Sequence, residues 1–118
     1  MLAVMYHEGV NGGRISLPRL VQVMCETPAR LFGLYPKKGH LAVGADADLV
    51  IWDPTARQTL SAATQHSHSD YTLYEGKEVT GKLVMTMQRG EPVVEDGQLK
   101  VQPGRAHFLP TNTSHLYA

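Results

Sequence analysis

The sequence has little of several features that would place it in a large class of proteins. It has 118 residues and one cysteine, Cys25, so it cannot form an internal disulfide, and we expect a cytoplasmic location. Its 11 basic and 11 acidic residues balance, which argues against nucleic-acid binding and against a polybasic membrane patch. No apolar run approaches the roughly 20 residues of a membrane-spanning helix, and Met1–Met5 is too short for a signal peptide. We therefore expect neither a nucleic-acid nor a membrane partner.

Two short helices are predicted in succession between residues 16 and 33. Ser16 is typical of an N-cap, and the apolar residues after it recur with helical spacing: Leu17, Leu20, Val21 and Met24. Thr27 followed by proline signals a second helix start, and Gly33 is typical of a left-handed C-cap. The apolar stretch at 2–6 leads into a glycine-rich run at 9–13, which we interpret as a loop.

Beyond residue 38 the pattern changes from helices to short strands. The predicted strands are residues 40–43, 49–52, 82–88, 92–95 and 99–101. The apolar run Leu49–Trp52 predicts a strand that is buried on both faces and closed by Asp53-Pro54, and Asp96-Gly97 predicts a tight turn. Helices first and strands afterwards indicate an α+β fold. So few strands leave open edges, which indicates a unit that is incomplete on its own.

Six histidines raise the question of a metal site. The sharpest candidate is His66-Ser-His68-Ser-Asp70, since imidazoles two apart on a strand can point toward one ion. Further possible ligands are scattered along the chain: His7, His40, Asp46, Asp48, His107 and His115. None of them shows a recognised ligand spacing. The pattern His-x-His is equally compatible with histidines on an exposed loop that bind no metal. A small metal-binding domain that uses His66 and His68 stays open as an alternative function.

Other reactive side chains have simpler structural interpretations. Cys25 lies beside Glu26, which disfavours a thiolate nucleophile, and we expect it to be a small buried hydrophobe. Asp46 and Asp48 could form an acid–base pair, but their Gly-Ala-Asp-Ala-Asp setting is typical of a tight turn. The residues alone therefore assign no catalytic, substrate-binding or metal-binding side chain.

One long segment and several short motifs carry a family resemblance. Residues 27–54, with the core Val-Gly-Ala-Asp-Ala-Asp-Leu-Val, resemble the metal-dependent amidohydrolase superfamily. The flanking motifs resemble its dihydropyrimidinase and hydantoinase branch: Tyr6-His-Glu-Gly-Val10, Gly13-Arg-Ile-Ser16, Asp70-Tyr71, Tyr74-Glu-Gly76, Val79-Thr-Gly81, Arg89-Gly90 and Asp96-Gly97. The resemblance runs from about residue 4 to about residue 109.

This resemblance implies the C-terminal portion of a hydrolase that acts on the C–N bonds of cyclic amides. Members of the branch carry a (β/α)₈ barrel and a small β-sandwich built from both chain termini. Residues 1–38 would correspond to closing helices of the barrel, 39–102 to the C-terminal strands of the sandwich, and 103–118 to an irregular tail. The expected partners are the N-terminal barrel and sandwich segments of the same enzyme, and the expected assembly is a homo-oligomer.

The resemblance also implies that this chain holds no cofactor of its own. The full-length family is expected to bind two zinc ions with a carbamylated lysine, and those ligands would all lie upstream of this segment. His66 and His68 would then be decoys rather than metal ligands, and the chain would not be catalytic alone. A non-catalytic dihydropyrimidinase-related assembly protein is the second alternative, because the residues that separate it from an enzyme would also lie upstream.

Overall fold

The structure, a computed structural model, describes residues 1–111, in which two helices precede an antiparallel sheet. The first helix, α1, covers residues 2–11 as an α-helical turn, Leu2–Met5, followed by a π-helical turn, Tyr6–Asn11. The predicted loop at 9–13 is therefore wrong in its first half. Gly9 stays helical because it packs closely: a Cβ there would lie 3.2 Å from the Ile15 side chain. The helix ends at the following glycines, where Gly13 takes a φ of 68°.

The second helix, α2, covers residues 17–31 in three segments: α-helical Leu17–Val21, π-helical Gln22–Glu26 and α-helical Thr27–Leu31. Its predicted start is confirmed, since the Ser16 hydroxyl accepts the Arg19 N–H at 3.3 Å. The prediction of two helices is wrong, because Thr27 has helical angles and continues the same helix. A π-helical turn just before Pro28 widens the helix, so the proline ring fits without breaking it. Within residues 1–111, no helix is long and apolar enough to cross a membrane.

Four antiparallel strands follow in the spatial order β1-β2-β3-β4: Leu49–Thr59, Glu78–Gln88, Glu91–Glu95 and Gln98–Leu99. A short 3₁₀ turn, Ala62–Thr64, lies in the long connection between β1 and β2. The β3–β4 turn uses Asp96 at φ 48° and Gly97 at φ 75°, the left-handed pair that matches strand twist in a tight hairpin. The predicted α+β class and this turn are both confirmed.

β1 departs from its prediction in two ways. It runs past Asp53-Pro54 because it lies at the edge of the sheet, where a proline removes no ladder bond and the register shifts between Asp53 and Arg57. It is also not buried on both faces, because Val50 is 48% exposed and Ile51 is 45% exposed. Residues 1–111 supply too little structure to cover both faces of this strand.

The predicted strand at 40–43 is wrong, and the last predicted strand is shorter than expected. Residues 40–43 lie in an irregular connection between α2 and β1, where Gly39 and Gly44 both take left-handed φ values of 92° and 93°. Those glycines turn the backbone at each end of the segment and prevent it from pairing as a strand. From residue 100 to 111 the described chain is irregular.

The buried core of residues 1–111 is small. Four apolar side chains are buried: Tyr6, Leu20, Ala29 and Val79. They come from α1, α2 and β2, so the core lies where the helices meet the sheet. Of the apolar face predicted for α2, only Leu20 is fully covered, whereas Leu17 and Val21 are each 50% exposed. The fold therefore completes one junction and leaves much apolar surface open.

Candidate functional site

The contact between α1 and the sheet, called the helix–sheet junction below, buries Tyr6 of α1 and Val79 of β2. Tyr6 and Trp52 pack edge to face, with ring centroids 5.3 Å apart and ring planes at 61°. Gly81 lies beneath both rings, and a Cβ there would come within 2.6 Å of each. Its φ of 111° also favours glycine. The rings of Tyr6 and Trp52 can thus pack in this way because residue 81 is a glycine and has no side chain.

Two side chains of α1 bind one residue at the edge of β2. The Thr80 N–H donates to Nδ1 of His7 at 3.1 Å, and Nδ2 of Asn11 donates to the Thr80 carbonyl at 3.3 Å. β3 pairs only with residues 85–88 of β2, so the edge of β2 at Thr80 faces α1 instead of a strand. His7 and Asn11 therefore supply the acceptor and the donor that a neighbouring strand would have offered.

A groove of about 570 Å³ opens beside this pair of hydrogen bonds. Its lining comes from α1 and from the paired ends of β1 and β2: His7, Arg57, Gln58, Thr59, Glu78, Val79 and Thr80. Glu8, the residue after His7, forms an ion pair with Lys77, in which Oε1 of Glu8 lies 2.6 Å from Nζ of Lys77. The hydrogen bond from Lys77 is the main reason that the pKa of Glu8 lies below its ordinary value. The groove contains an imidazole but no serine or cysteine nucleophile.

A second polar cluster fixes the irregular connection onto the sheet. Lys38 forms ion pairs with both Asp46 and Asp48, at 2.8 Å for Asp46. Asp48 also accepts the backbone N–H of Arg89 at 2.9 Å. Burial alone would raise the pKa of Asp48, but the hydrogen bonds from Lys38 and from the Arg89 backbone outweigh it, so its pKa lies below the ordinary 3.8. Asp46 and Asp48 thus act as turn and ion-pair residues around one lysine rather than as an acid–base pair.

The strongest metal candidate of the sequence lies on an exposed irregular segment. His66, His68 and Asp70 are all exposed and none belongs to a strand, so the argument that alternate strand residues point to one ion does not apply to them. Nε2 of His66 lies 2.9 Å from the Gly97 carbonyl oxygen and joins the segment to the β3–β4 turn. Their role as decoys stays a prediction.

The remaining candidates are dispersed. His40 packs against Tyr35, with ring centroids 4.8 Å apart, and His107 lies in the irregular segment after β4. Cys25 is exposed, so the expectation of a buried cysteine is wrong, because Leu20 and Ala29 are the only residues of α2 that are buried. Among residues 1–111, no three side chains of His, Cys, Asp or Glu are placed together so as to hold a metal ion. His115 lies outside the described residues.

The hydrogen bonds of His7 and Asn11 to Thr80 were not predicted from the sequence. His7 and Thr80 belong to Tyr6-His-Glu-Gly-Val10 and Val79-Thr-Gly81, two of the motifs that carry the family resemblance, and Asn11 directly follows the first of them. His7 and Thr80 lie 73 positions apart, and no periodicity in the sequence links the two motifs. Only the pairing of β2 with β1 and the helical continuation through Gly9 bring them into contact.

Known proteins match this chain along most of its length. The model of the amidohydrolase family matches residues 1–93. The chain belongs to the amidohydrolase family. Within that family, it is 46% identical over 107 residues to a D-hydantoinase of Streptomyces coelicolor, which covers 91% of this chain and 23% of the relative. It is 41% identical over 109 residues to the dihydropyrimidinase of Rattus norvegicus, which covers 92% of the chain and 21% of that protein.

Solved structures of amidohydrolases share the fold of this chain. A structure of D-hydantoinase has a TM-score of 0.86 and 41% identity, and the match covers 92% of this chain and 23% of the other. The L-hydantoinase (dihydropyrimidinase) of Arthrobacter aurescens has a TM-score of 0.82 and 50% identity, over 86% of this chain and 22% of that one. The resemblance to the hydantoinase and dihydropyrimidinase branch is confirmed. The chain spans less than a quarter of the length of these relatives.

Membership of the amidohydrolase family indicates metal dependence in full-length members. The donor side chains that the structure describes, those of residues 1–111, do not fit such a site. The histidines at 7, 40, 66 and 107 lie on four separate parts of the described structure, and the aspartates at 46 and 48 are engaged by Lys38. No catalytic step is therefore assigned to a metal held by residues 1–111.

Proposed function

We propose that this chain is the C-terminal structural portion of a hydantoinase- or dihydropyrimidinase-like hydrolase that opens cyclic amides at a C–N bond. Support comes from relatives named D-hydantoinase, L-hydantoinase and dihydropyrimidinase, which are 41–48% identical over about nine-tenths of the chain. In this proposal the chain does not carry out the reaction alone. It supplies helices and strands that other segments of the same enzyme cover.

The observation that carries the proposal is the amount of apolar surface that the chain leaves open. Its accessible surface is 8691 Å², whereas a compact monomer of 13.0 kDa exposes roughly 6,300 Å². Large apolar side chains are exposed on α1, α2, the connection and β1; among them are Met5, Leu17, Val21, Phe32, Leu41, Val43, Val50 and Ile51. Apolar surface of this extent marks an interaction site.

The outer edge of β1 supports the same proposal. β1 stands at the end of the strand order, so in residues 1–111 only β2 pairs with it. An edge strand of 11 residues presents unpaired N–H and C=O groups that another strand can bind. A sandwich built from both chain termini would cover this edge and the exposed faces of Val50 and Ile51.

The finer assignment follows the resemblance. Residues 1–38 would be closing helices of a (β/α)₈ barrel, 39–102 the C-terminal share of a small β-sandwich, and 103–118 an irregular tail. A pair of zinc ions with a carbamylated lysine would belong to the other segments, since residues 1–111 gather no set of three ligands. The assembled enzyme would be a cytoplasmic homo-oligomer. The exposed apolar surface supports that assembly.

Reconstitution tests the proposal directly. A D-hydantoinase relative is truncated at the point where the match begins, purified with zinc, and mixed with this chain; ring opening of hydantoin and of dihydrouracil is then measured. We expect no turnover by the chain with zinc, little by the truncated relative, and a gain when the two are combined. A mixture no more active than the truncated relative contradicts the proposal, and so does chelator-sensitive turnover by the chain alone.

Two matched variants show whether the open surface makes the contact. Ile51→Asp places a charge on β1, where we propose that other segments bind, and should reduce the reconstituted activity at least about tenfold. Phe108→Asp places the same charge in the irregular segment, where the side chain is also exposed, and should leave the activity unchanged. Equal loss in both variants would contradict the role assigned to β1.

A further inference from the structure

The hydrogen bond between the Thr80 N–H and Nδ1 of His7 defines the proton state of that imidazole. The backbone N–H is a donor only, so Nδ1 must act as an acceptor and cannot carry a proton. A neutral ring with its proton on Nε2 satisfies this requirement, whereas an imidazolium has a proton on both nitrogens. Protonation would place two donors face to face 3.1 Å apart, and the hydrogen bond would be lost.

We propose that His7 is a pH-sensitive latch of the helix–sheet junction, closed on the edge of β2 when its ring is neutral and released when Nδ1 binds a proton. The proposal rests on the placement of His7 between α1 and Thr80 and goes beyond the proposed function. The groove beside His7 gives solvent protons a route to the ring without unfolding.

Charged groups of both signs lie near His7, and within residues 1–111 its ring forms no ion pair. On the α1 side lie Glu8 and Arg14, of which Glu8 is already engaged with Lys77 at 2.6 Å. On the sheet side, Arg57 of β1 and Glu78 of β2 line the same groove. Two carboxylates thus face three cations around the imidazole. These are the charged groups of α1, β1, β2 and their flanking residues that lie near the imidazole.

Release of the latch would open one half of a two-part contact. The hydrogen bond from Asn11 to the Thr80 carbonyl does not depend on protonation and would hold α1 near β2. The Thr80 N–H, by contrast, would be left to water in the groove, because β3 reaches only residues 85–88. Acidification would therefore loosen the edge of β2 locally, without separating the aromatic pair of Tyr6 and Trp52.

Amide hydrogen exchange of Thr80, measured by NMR on this chain and corrected for intrinsic exchange rates, tests the latch. We expect the protection factor to fall about tenfold between about pH 7.5 and about pH 5.5, the loss of one hydrogen bond. Nitrogen chemical shifts of His7 at the higher pH should show an unprotonated Nδ1. Protection of Thr80 that is equal at the two pH values overturns the proposal, as does exchange without protection at both or a proton on Nδ1.

Three variants separate the proton from the packing. His7→Asn keeps an acceptor at the δ position that does not titrate, so protection of Thr80 should persist at both pH values. His7→Leu removes the acceptor and should lower protection at both. His66→Asn changes a histidine of the exposed segment and should retain the tenfold pH dependence. A His7→Asn chain that still loses protection at the lower pH, or a His66→Asn chain that does not, overturns the proposal.

Discussion

The helix–sheet junction and the outer surface of the same elements are built in opposite ways. At the junction, the rings of Tyr6 and Trp52 pack over Gly81, and side chains of α1 satisfy the edge of β2. On the outside, apolar side chains of α2 and β1 face solvent. Within residues 1–111, the junction residues thus pack on one another, although Nε1 of Trp52 is buried without a hydrogen-bond partner, whereas the outer apolar side chains are left uncovered. The difference is what we expect of a chain whose outer surface is covered by other segments of a larger enzyme, as proposed above.

The largest predicted loss of stability is that of a substitution at Gly81, in the helix–sheet junction. Gly81→Ala should cost about 3 to 5 kcal/mol of unfolding free energy, since a Cβ meets Trp52 and Tyr6 at 2.6 Å and the φ of 111° strains any side chain. Urea unfolding followed by the fluorescence of Trp52, the single tryptophan, measures it. Gly90→Ala is the control: its φ of 82° is similar, but nothing lies within 4 Å, so about 1 to 2 kcal/mol is expected.

The difference between buried and exposed positions can be tested by changing leucine to alanine at two positions of α2. Leu20→Ala should destabilise the chain by about 2 to 4 kcal/mol, because Leu20 is only 2% exposed and the removed atoms leave a cavity. Leu17→Ala, at a position that is 50% exposed, should cost about 1 kcal/mol or less. Urea midpoints of the two variants provide the measurement. Equal losses would show that the outer face of α2 is already covered, for instance by a second copy.

A smaller effect tests the polar cluster of Lys38. The pKa of Asp48 is lowered in the folded state, so its stabilising contribution is present above the ordinary carboxyl pKa of 3.8 and is lost as the pH falls below it. Asp48→Asn should cost about 1 kcal/mol at neutral pH, allowing for solvent screening, and should flatten the loss of stability between about pH 5 and 3. Asp70→Asn, on the exposed segment, should leave both the value and the slope unchanged. An unchanged slope in Asp48→Asn would contradict the assignment.

The smallest effect is expected on the exposed segment that contains His66 and His68. The double variant His66→Ala and His68→Ala should change the unfolding free energy by about 0.5 kcal/mol or less, since both side chains are exposed. Zinc retained after dialysis, measured by atomic absorption, should be the same in the variant and in the original chain. Stoichiometric zinc in the original that disappears in the variant would instead establish a small metal-binding domain.

Local signals in the sequence account for the order of elements and for their turns. The Ser16 cap, the Asp96-Gly97 turn and the helix-then-strand pattern each depend on neighbouring residues, and each appears in the structure. The family resemblance likewise depends on motifs that are short and continuous. It predicted the relatives correctly, although the chain alone offered no catalytic constellation.

The predictions that were wrong concern features of the structure that depend on more than neighbouring residues in the sequence. Thr27 looks like a helix start, but the π-helical turn before Pro28 carries the helix through. The 40–43 segment has strand composition, yet it is bounded by left-handed glycines and has no strand to pair with among residues 1–111. Burial of Leu49–Trp52 was inferred from apolar composition, which reports what a strand can bury rather than what is present to cover it. The contact of His7 with Thr80 depends on tertiary structure alone.

The irregularity in β1 limits which polypeptides can extend the sheet. Regular cross-β stacking needs an unbroken ladder of donors and acceptors. Here the carboxylate of Asp53 takes the N–H groups of Thr55 and Ala56 at 2.8 and 3.0 Å, and Pro54 contributes no N–H at all. Identical copies that approached in register would meet this gap at every layer. We therefore expect this interruption of the ladder to disfavour regular stacking of identical β1 edges, while a strand shaped to fit around it could still dock.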